Sequence, residues 1–192
     1  MKVCFTTNNS HKLKEVREIV GDSIELLSLS DIDFSGEIPE THETLEENSL
    51  EKAQYIFNRF KIPVFSDDSG LEVMALGMKP GVHTAHYSGC RDAMANMTKV
   101  LSEIQGEKDR KAQFRAVMTY IDENGYAQQF EGIVEGSIAS EMSGAEGFGY
   151  DPIFIPMGYS RTFAELSSEI KNQISHRKRA LSKLVEYLKN NS

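Results

Sequence analysis

Asp67-Asp68-Ser69-Gly70 places two carboxylates, a hydroxyl and a glycine in succession, directly after the apolar run at residues 63–66. The end of a short strand is where α/β proteins gather groups for a ligand. Two adjacent charges each need a partner if they are buried. Neighbours along a strand point to opposite sides, so one acid can face a site while the other braces the turn. A solvated acidic turn is the competing reading for Asp-Asp alone, and Glu40 weighs against it by offering a second hard oxygen. Two carboxylates completed by water and a phosphate oxygen are the usual setting for Mg²⁺, which sheds its water reluctantly. Lys52 either balances the surrounding acids or reaches a leaving group; for an isolated lysine the salt bridge is the stronger reading.

Three further segments carry groups suited to a nucleotide. Thr7-Asn8-Asn9-Ser10-His11-Lys12 joins a strand to the start of a helix, where free backbone N–H groups favour a phosphate and Lys12 adds charge. Gly147-Phe148-Gly149-Tyr150-Asp151-Pro152 lets backbone approach a ligand beside an aromatic face, and a stacked base is its natural guest. A bulged loop with two core aromatics is the equal alternative there. Ser175-His176-Arg177 opens the last helix with two donors for a carbonyl or a phosphate, unless they only cap the helix end.

The elements that must position these groups follow from periodicity and cap residues. Residues 2–6 read as a buried strand, followed by a helix over about 11–20 with Leu13, Val16, Ile19 and Val20 on one face. Residues 24–29 form a second strand-length run. A capping box at Thr44-Leu45-Glu46-Glu47 then opens a helix to about Phe60. A short strand over 63–66, a possible one over 71–75, a loop over 80–89 and a helix over 91–104 come next. Residues 112–121 and 126–138 make a hairpin through Asn124-Gly125, and Ser175 caps a helix to about Lys189. Strand–helix alternation with a central hairpin predicts an α/β fold, a mixed sheet flanked by helices.

Composition bounds the function classes. The chain has 192 residues, 40% hydrophobic and 26% charged, with no Trp. A chain of this size buries roughly 70% of its unfolded surface, which excludes disordered, collagen-like and coiled-coil readings. No stretch approaches the roughly 20 apolar residues of a membrane helix, so no membrane partner is expected. The start, MKVCFTT, reads as strand with no cleavable leader, and Cys4 and Cys90 form neither a disulfide framework nor a metal-ligand spacing. A cytoplasmic location is therefore expected. The net charge of −8 argues against nucleic acid as a partner. Eight acids and no Lys or Arg lie between Asp31 and Glu51, while Lys171 to Lys189 holds six bases against Glu186 alone. The two runs are either solvated faces or the cation- and anion-holding sides of a cleft.

Several signatures are missing. There is no GxxxxGK[ST], no GxSxG elbow and no HExxH, and the GxxGxG spacing of Gly144, Gly147 and Gly149 is not the dinucleotide fingerprint. His83 and His86 lack further ligands. Asp31-Ile32-Asp33 begins like an EF-hand, but His42 stands where the closing acid is needed and Pro39 interrupts the loop, so calcium is rejected.

Taken in order, T-x-N-x-x-K, E-T, S-D-D-S-G, P-G-V, E-G-F-G-Y-D-P-I-F and I-S-H-R resemble the inosine triphosphate pyrophosphatase family over nearly the whole chain, from Val3 to about Leu188. The resemblance implies a single two-lobed domain over residues 1–192, with a long central mixed sheet, helices on either side, an active-site cleft and a homodimer. It implies hydrolysis of non-canonical purine nucleoside triphosphates (ITP, dITP, XTP) to the monophosphate and pyrophosphate, with Mg²⁺ as cofactor. It matches Thr7, Asn8, Asn9, Ser10, His11 and Lys12 to a triphosphate loop, and Glu40 and Asp68 to metal-linked acids, with Asp68 the proton acceptor. Asp67, Lys52 and Lys12 match residues tied to catalysis, and Ser69 a substrate contact. Phe148, Gly149, Tyr150, Asp151, Lys171, His176 and Arg177 match nucleotide-binding positions. One departure is Pro39 before Glu40, where many bacterial members carry a second acid; it leaves the second metal ligand open. A pyrophosphatase for other modified nucleotides and a non-catalytic nucleotide-binding module are the alternatives.

Overall fold

The structure, a computed structural model, describes residues 2–21 and 24–191. Strand β1 (Lys2–Phe5) is buried at Val3, Cys4 and Phe5, and pairs in parallel with β2 (Glu25–Leu27) and β3 (Val64–Val73). Parallel neighbours need crossovers, and two helices supply them. Helix α1 (Ser10–Val20) connects β1 to β2 and buries Val16 and Val20; α2 (Leu45–Phe60) precedes β3 and buries Leu45, Ala53, Ile56 and Phe57. A second strand pairing sits at β4 (Lys79–Pro80), antiparallel to β3 with Glu72 opposite Pro80.

Helix α3 (Ala93–Glu103) is followed by the hairpin of β5 (Lys111–Ile121) and β6 (Ala127–Ile138). Its turn closes as Asn-Gly chemistry requires: the Asp122 carboxylate accepts from the N–H groups of Asn124 and Tyr126, and Gly125 takes φ 86°. Strand β7 (Phe154–Pro156) pairs antiparallel with β6, and α4 (Ser168–Ile174) and α5 (His176–Asn190) complete the chain. The sheet order is β2-β1-β3-β5-β6-β7, with β4 attached to β3. This is the mixed α/β architecture expected from the alternation pattern. Among the described residues no helix is long and apolar enough to cross a membrane.

The chain divides into two compact units. The first holds the residues up to Asp68, Ala116–Gly132 and those from Arg177 onward; the second holds Ser69–Arg115 and Ile133–His176. In the first, Phe5 and Phe65 stack at 4.6 Å amid Val3, Val16, Leu181 and Leu184, and a further cluster gathers Cys4, Ala53, Ile56 and Val64. In the second, Phe114, Phe154 and Phe163 pack with Leu71, Val100 and Ile153. The division falls inside two motifs, between Asp68 and Ser69 and between His176 and Arg177.

Three sequence expectations are corrected. Asp67-Asp68-Ser69-Gly70 does not end a strand: the two short runs are one ten-residue strand, β3, passing straight through it. Gly70 marks a close approach rather than a turn, since a Cβ there would lie 2.2 Å from the Gly81 carbonyl oxygen. Gly70→Ala is therefore expected to destabilise by about 1–3 kcal/mol through overpacking, read as a lower urea midpoint at unchanged slope; an unchanged midpoint would refute the close approach. Helix α4, which the sequence reading left out, occupies 168–174 with Ser167 accepting from the Ile170 N–H. At the start of α2, Thr44 Oγ1 accepts from the Glu47 N–H as expected, but the Glu47 carboxylate returns to the Thr44 hydroxyl rather than to its backbone N–H.

Candidate active site

Asp67 and Asp68 follow each other on β3, and their side chains take different partners, as the strand alternation requires. Asp68 Oδ1 accepts from Lys52 Nζ at 2.8 Å, and the same ammonium donates to Glu40 Oε1 at 2.6 Å and to the Asp67 carbonyl oxygen at 2.8 Å. Lys52 is 5% exposed. Burial disfavours its charge, but Asp68 and Glu40 outweigh that and hold its pKa above the usual lysine value. Asp68 moves the other way from most paired acids: burial raises its pKa, more than Lys52 and Lys12 lower it.

The Asp67 carboxylate faces α5 and α1. Its Oδ2 accepts from Arg177 Nε at 2.6 Å and lies 3.6 Å from Lys12 Nζ. Arg177 Nη1 also donates to Glu15 Oε2, and the arginine is 1% exposed. Burial opposes ionisation of Asp67, yet Arg177 and then Lys12 hold its carboxyl well below the usual carboxylate range. Arg177 is itself raised despite burial, by Asp67 and Glu15. Lys12 ends lower than usual, chiefly through burial, with Lys52 and Arg177 adding to the effect against the attraction of Asp67. Lys12, Lys52, Arg177, Glu15, Glu40, Asp67 and Asp68 thus form one charge cluster in the first unit.

The triphosphate-loop segment is more occupied than its sequence suggests. Asn9 caps α1 and its Oδ1 accepts from the N–H groups of both His11 and Lys12, at 3.0 and 3.2 Å. Thr7 Oγ1 accepts from the Asn9 N–H, and Asn8 donates through Nδ2 to the Gly36 carbonyl. The expectation of free N–H groups at His11 and Lys12 is therefore corrected: a side chain that caps a helix takes the donors a phosphate would otherwise meet. Asn8, Asn9, Ser10 and His11 remain exposed.

In the second unit, Gly147 and Gly149 have φ 78° and 63°, and the loop folds back on Asp151. Asp151 Oδ2 accepts from the Phe148 N–H at 2.7 Å and from Lys171 Nζ at 2.6 Å, and that ammonium sits 4.7 Å from the centre of the Phe148 ring. A Cβ on Gly147 would lie 2.1 Å from Asp151 Oδ2, so only glycine admits this return. Tyr150 is core: it is 4% exposed and donates its hydroxyl to the Thr84 carbonyl, so the aromatic face of this loop belongs to Phe148. His176 is buried, with its ring stacked 4.9 Å from Phe114 at 14°. Ser69, which follows Asp68 in sequence, is half-buried.

The donor chemistry suits a hard divalent cation. Glu40 and Asp68 approach each other across a single ammonium, and Asp68 Oδ2 is buried with no hydrogen-bond partner, as is Asp67 Oδ1. A buried carboxylate oxygen left without a donor is costly, and coordination removes that cost. The residues therefore fit Mg²⁺, with further oxygens to come from substrate and water. His83 and His86 contact each other edge to face at 5.5 Å, and the Asp31 carboxylate accepts from the Ser28 N–H.

Glu15, Asn48 and Glu51 escaped the sequence reading. Glu15 lies three residues after Lys12 on α1, a spacing that puts both on one helix face. Asn48 and Glu51 flank Lys52 on α2 and fasten the chain beside Glu40: Glu51 accepts from the N–H and the hydroxyl of Thr41, and Asn48 exchanges two bonds with the His42 backbone.

The fold is shared with solved proteins. It matches the Staphylococcus aureus Ham1 protein with a TM-score of 0.90 and 35% identity, covering 100% of both chains. It also matches a nucleoside-triphosphatase, a dITP/XTP pyrophosphatase, from Mycobacterium abscessus with a TM-score of 0.78 and 39% identity, over 96% of this chain and 98% of that one. In sequence, the chain is 48% identical over 189 residues to a dITP/XTP pyrophosphatase of Porphyromonas gingivalis, covering 97% of each. A Bacillus subtilis protein of the same name is 44% identical over 188 residues, covering 96% of this chain and 95% of its own. The class is thus an α/β protein with the Ham1 fold. The Ham1 family profile matches residues 3–187, and the chain belongs to that family.

Proposed function

We propose that this protein hydrolyses non-canonical purine nucleoside triphosphates (ITP, dITP and XTP) to the monophosphate and pyrophosphate, in a metal-dependent reaction at the first unit's charge cluster. The observation that carries the reading is Lys52 held between Glu40 and Asp68, with Asp68 Oδ2 left unsatisfied. The names of the relatives support the substrate class.

Glu40 and Asp68 would hold Mg²⁺, which when bound neutralises phosphate oxygens and acidifies water. Asp68 accepts the proton of the water that attacks the α-phosphorus, through the Oδ2 oxygen that no hydrogen-bond donor occupies. The bond from the α-phosphorus to its bridging oxygen breaks, and Lys12 and Lys52 stabilise the charge that gathers on the departing pyrophosphate. Asp67 and Arg177 are the scaffold for Lys12. Phosphoryl chemistry asks chiefly for positioning and electrostatics, so this cast suffices.

In the second unit, Phe148 offers a ring face and Lys171 a cation fixed by Asp151, suited to a nucleoside. Hypoxanthine and xanthine present a carbonyl at position six where adenine presents an amino group. Arg177 or His176 would donate to that carbonyl; Arg177 Nε and Nη1 are already engaged by Asp67 and Glu15. Homodimer assembly belongs to the same reading on the strength of the family resemblance, and cytoplasmic action on that of Cys4 and Cys90, whose spacing makes no disulfide framework.

The experiment is a panel of ITP, XTP, dITP and ATP, with and without Mg²⁺, scored for pyrophosphate release. Expected are pyrophosphate rather than orthophosphate, loss of turnover with chelator, and kcat/KM about 10⁴-fold higher for ITP than for ATP. Comparable values for ATP would refute the base reading, and orthophosphate as first product would refute the reaction.

A further inference from the structure

Alongside the Lys52–Asp68 pair runs a second link between α2 and β3, made entirely of buried hydroxyls. Ser49 lies three residues before Lys52 on the same helix face, and Ser66 lies two residues before Asp68 on the same face of the strand. Ser49 Oγ and Ser66 Oγ are 2.7 Å apart, next to the 2.8 Å contact of Lys52 with Asp68. Helix and strand are thus joined by two rungs, one apolar-buried and uncharged, the other ionic. Ser49, Ser66 and Thr119 are all 0% exposed.

The proton order in this chain is forced. Gln129 Nε2 donates to the Glu46 carbonyl and to Thr119 Oγ1, at 2.9 and 3.0 Å, so its amide orientation is fixed. Thr119 Oγ1 donates to Ser49 Oγ at 2.9 Å, and Ser66 Oγ donates to the Ser49 carbonyl at 2.6 Å. A hydroxyl carries one proton. Ser66 has spent its proton on the carbonyl, so Ser49 must donate to Ser66. The chain therefore runs one way, from the Gln129 amide through Thr119, Ser49 and Ser66 to the Ser49 carbonyl, with every member satisfied. A fully satisfied buried chain is rigid and selects one packing of the elements it joins.

We propose that Ser49, Ser66 and Thr119 are positioning residues for the reaction: their hydroxyl rung sets the rotation and separation of α2 against β3 that keeps Lys52 Nζ on Asp68. The proposal rests on the function proposed above. Its physical scale comes from catalytic geometry, where a shift of about 1 Å in a positioned group costs on the order of 100-fold in rate. Thr119→Val removes one hydroxyl at nearly constant shape, and Ser66→Ala removes the rung itself.

The test compares wild type, Thr119→Val, Thr119→Ser and Ser66→Ala for ITP turnover and thermal unfolding, assaying well below each midpoint. Expected is a fall in kcat of roughly 10-fold for Thr119→Val and up to about 100-fold for Ser66→Ala, with KM for ITP within about twofold and Thr119→Ser restoring turnover. In a Lys52→Met background, Ser66→Ala should change kcat little further, because it acts through the lysine. If both variants only lose thermal stability and keep kcat, or if the losses multiply in the Lys52→Met background, the rung is merely structural and the proposal fails. Should Ser66→Ala not fold, Thr119→Val and its serine counterpart decide the matter. Absence of pyrophosphate release by wild type overturns the proposed function instead, so the two failures are distinct.

Discussion

Asp68→Asn is expected to lower kcat for ITP by roughly 10²–10⁴-fold, the range for loss of a positioned general base, with the protein still folded. Asparagine keeps the volume of the side chain at this 8%-exposed position but changes its hydrogen-bonding character. Lys52 Nζ donates to Oδ1, so the amide must turn its oxygen toward the ammonium. Its NH₂ then occupies the place of Oδ2, putting two donors where the wild type offers a lone pair to water or metal. Because Lys52 keeps Glu40 and the Asp67 carbonyl as acceptors, and the amide oxygen replaces Oδ1, the unfolding midpoint should move by only a few degrees. Steady-state kinetics beside calorimetry checks both parts. Turnover within about threefold of wild type, in a folded variant, would remove Asp68 from the mechanism.

Arg177→Met is expected to produce the largest loss of stability. The Asp67 side chain is 0% exposed, and Arg177 Nε at 2.6 Å is its closest cation; Lys12 is at 3.6 Å. Methionine fills much of the volume and supplies no donor, so Asp67 and Glu15 both lose the guanidinium they share. Breaking a buried pair by removing one partner costs about 3–5 kcal/mol. For a chain of this length that corresponds to a fall in Tm of roughly 10–15 °C. Adding Asp67→Asn should recover part of the loss, because the stranded charge goes with it. A calorimetric midpoint within about 2 °C of wild type for Arg177→Met would show that the network does not hold the first unit together.

Most element types were legible in the sequence, as were the residues that meet in the charge cluster other than Glu15, and the misses share physical causes. Strands β5 and β6 and helices α1, α2 and α5 were readable because an apolar pattern meets a cap residue or an Asn-Gly turn, and β1 because its run is short and apolar. Helix α4 was not, because seven residues give too few turns for a period to emerge. The unbroken β3 was hidden because polar residues interrupt its apolar run, and their burial depends on Lys52, Arg177 and Lys12, which come from other elements. Gly70 looked like punctuation for the same reason: only the neighbouring Gly81 backbone explains it. At the site, residue identities suggested chemical types, while partners did not follow from spacing. That Asn9 spends itself on capping, that Tyr150 belongs to the core and that Arg177 is committed to two acids are facts of packing. The Ser49–Ser66–Thr119 chain joins residues 17 and 70 positions apart, which no local pattern encodes.

The course of β3 has one more outcome. Asp67 and Asp68 lie mid-way along a strand that pairs with β1 at Val64 and Phe65 and neighbours β5 in the sheet, rather than on a tip that frays early. On warming, the two acids are therefore expected to keep their places until the sheet itself gives way.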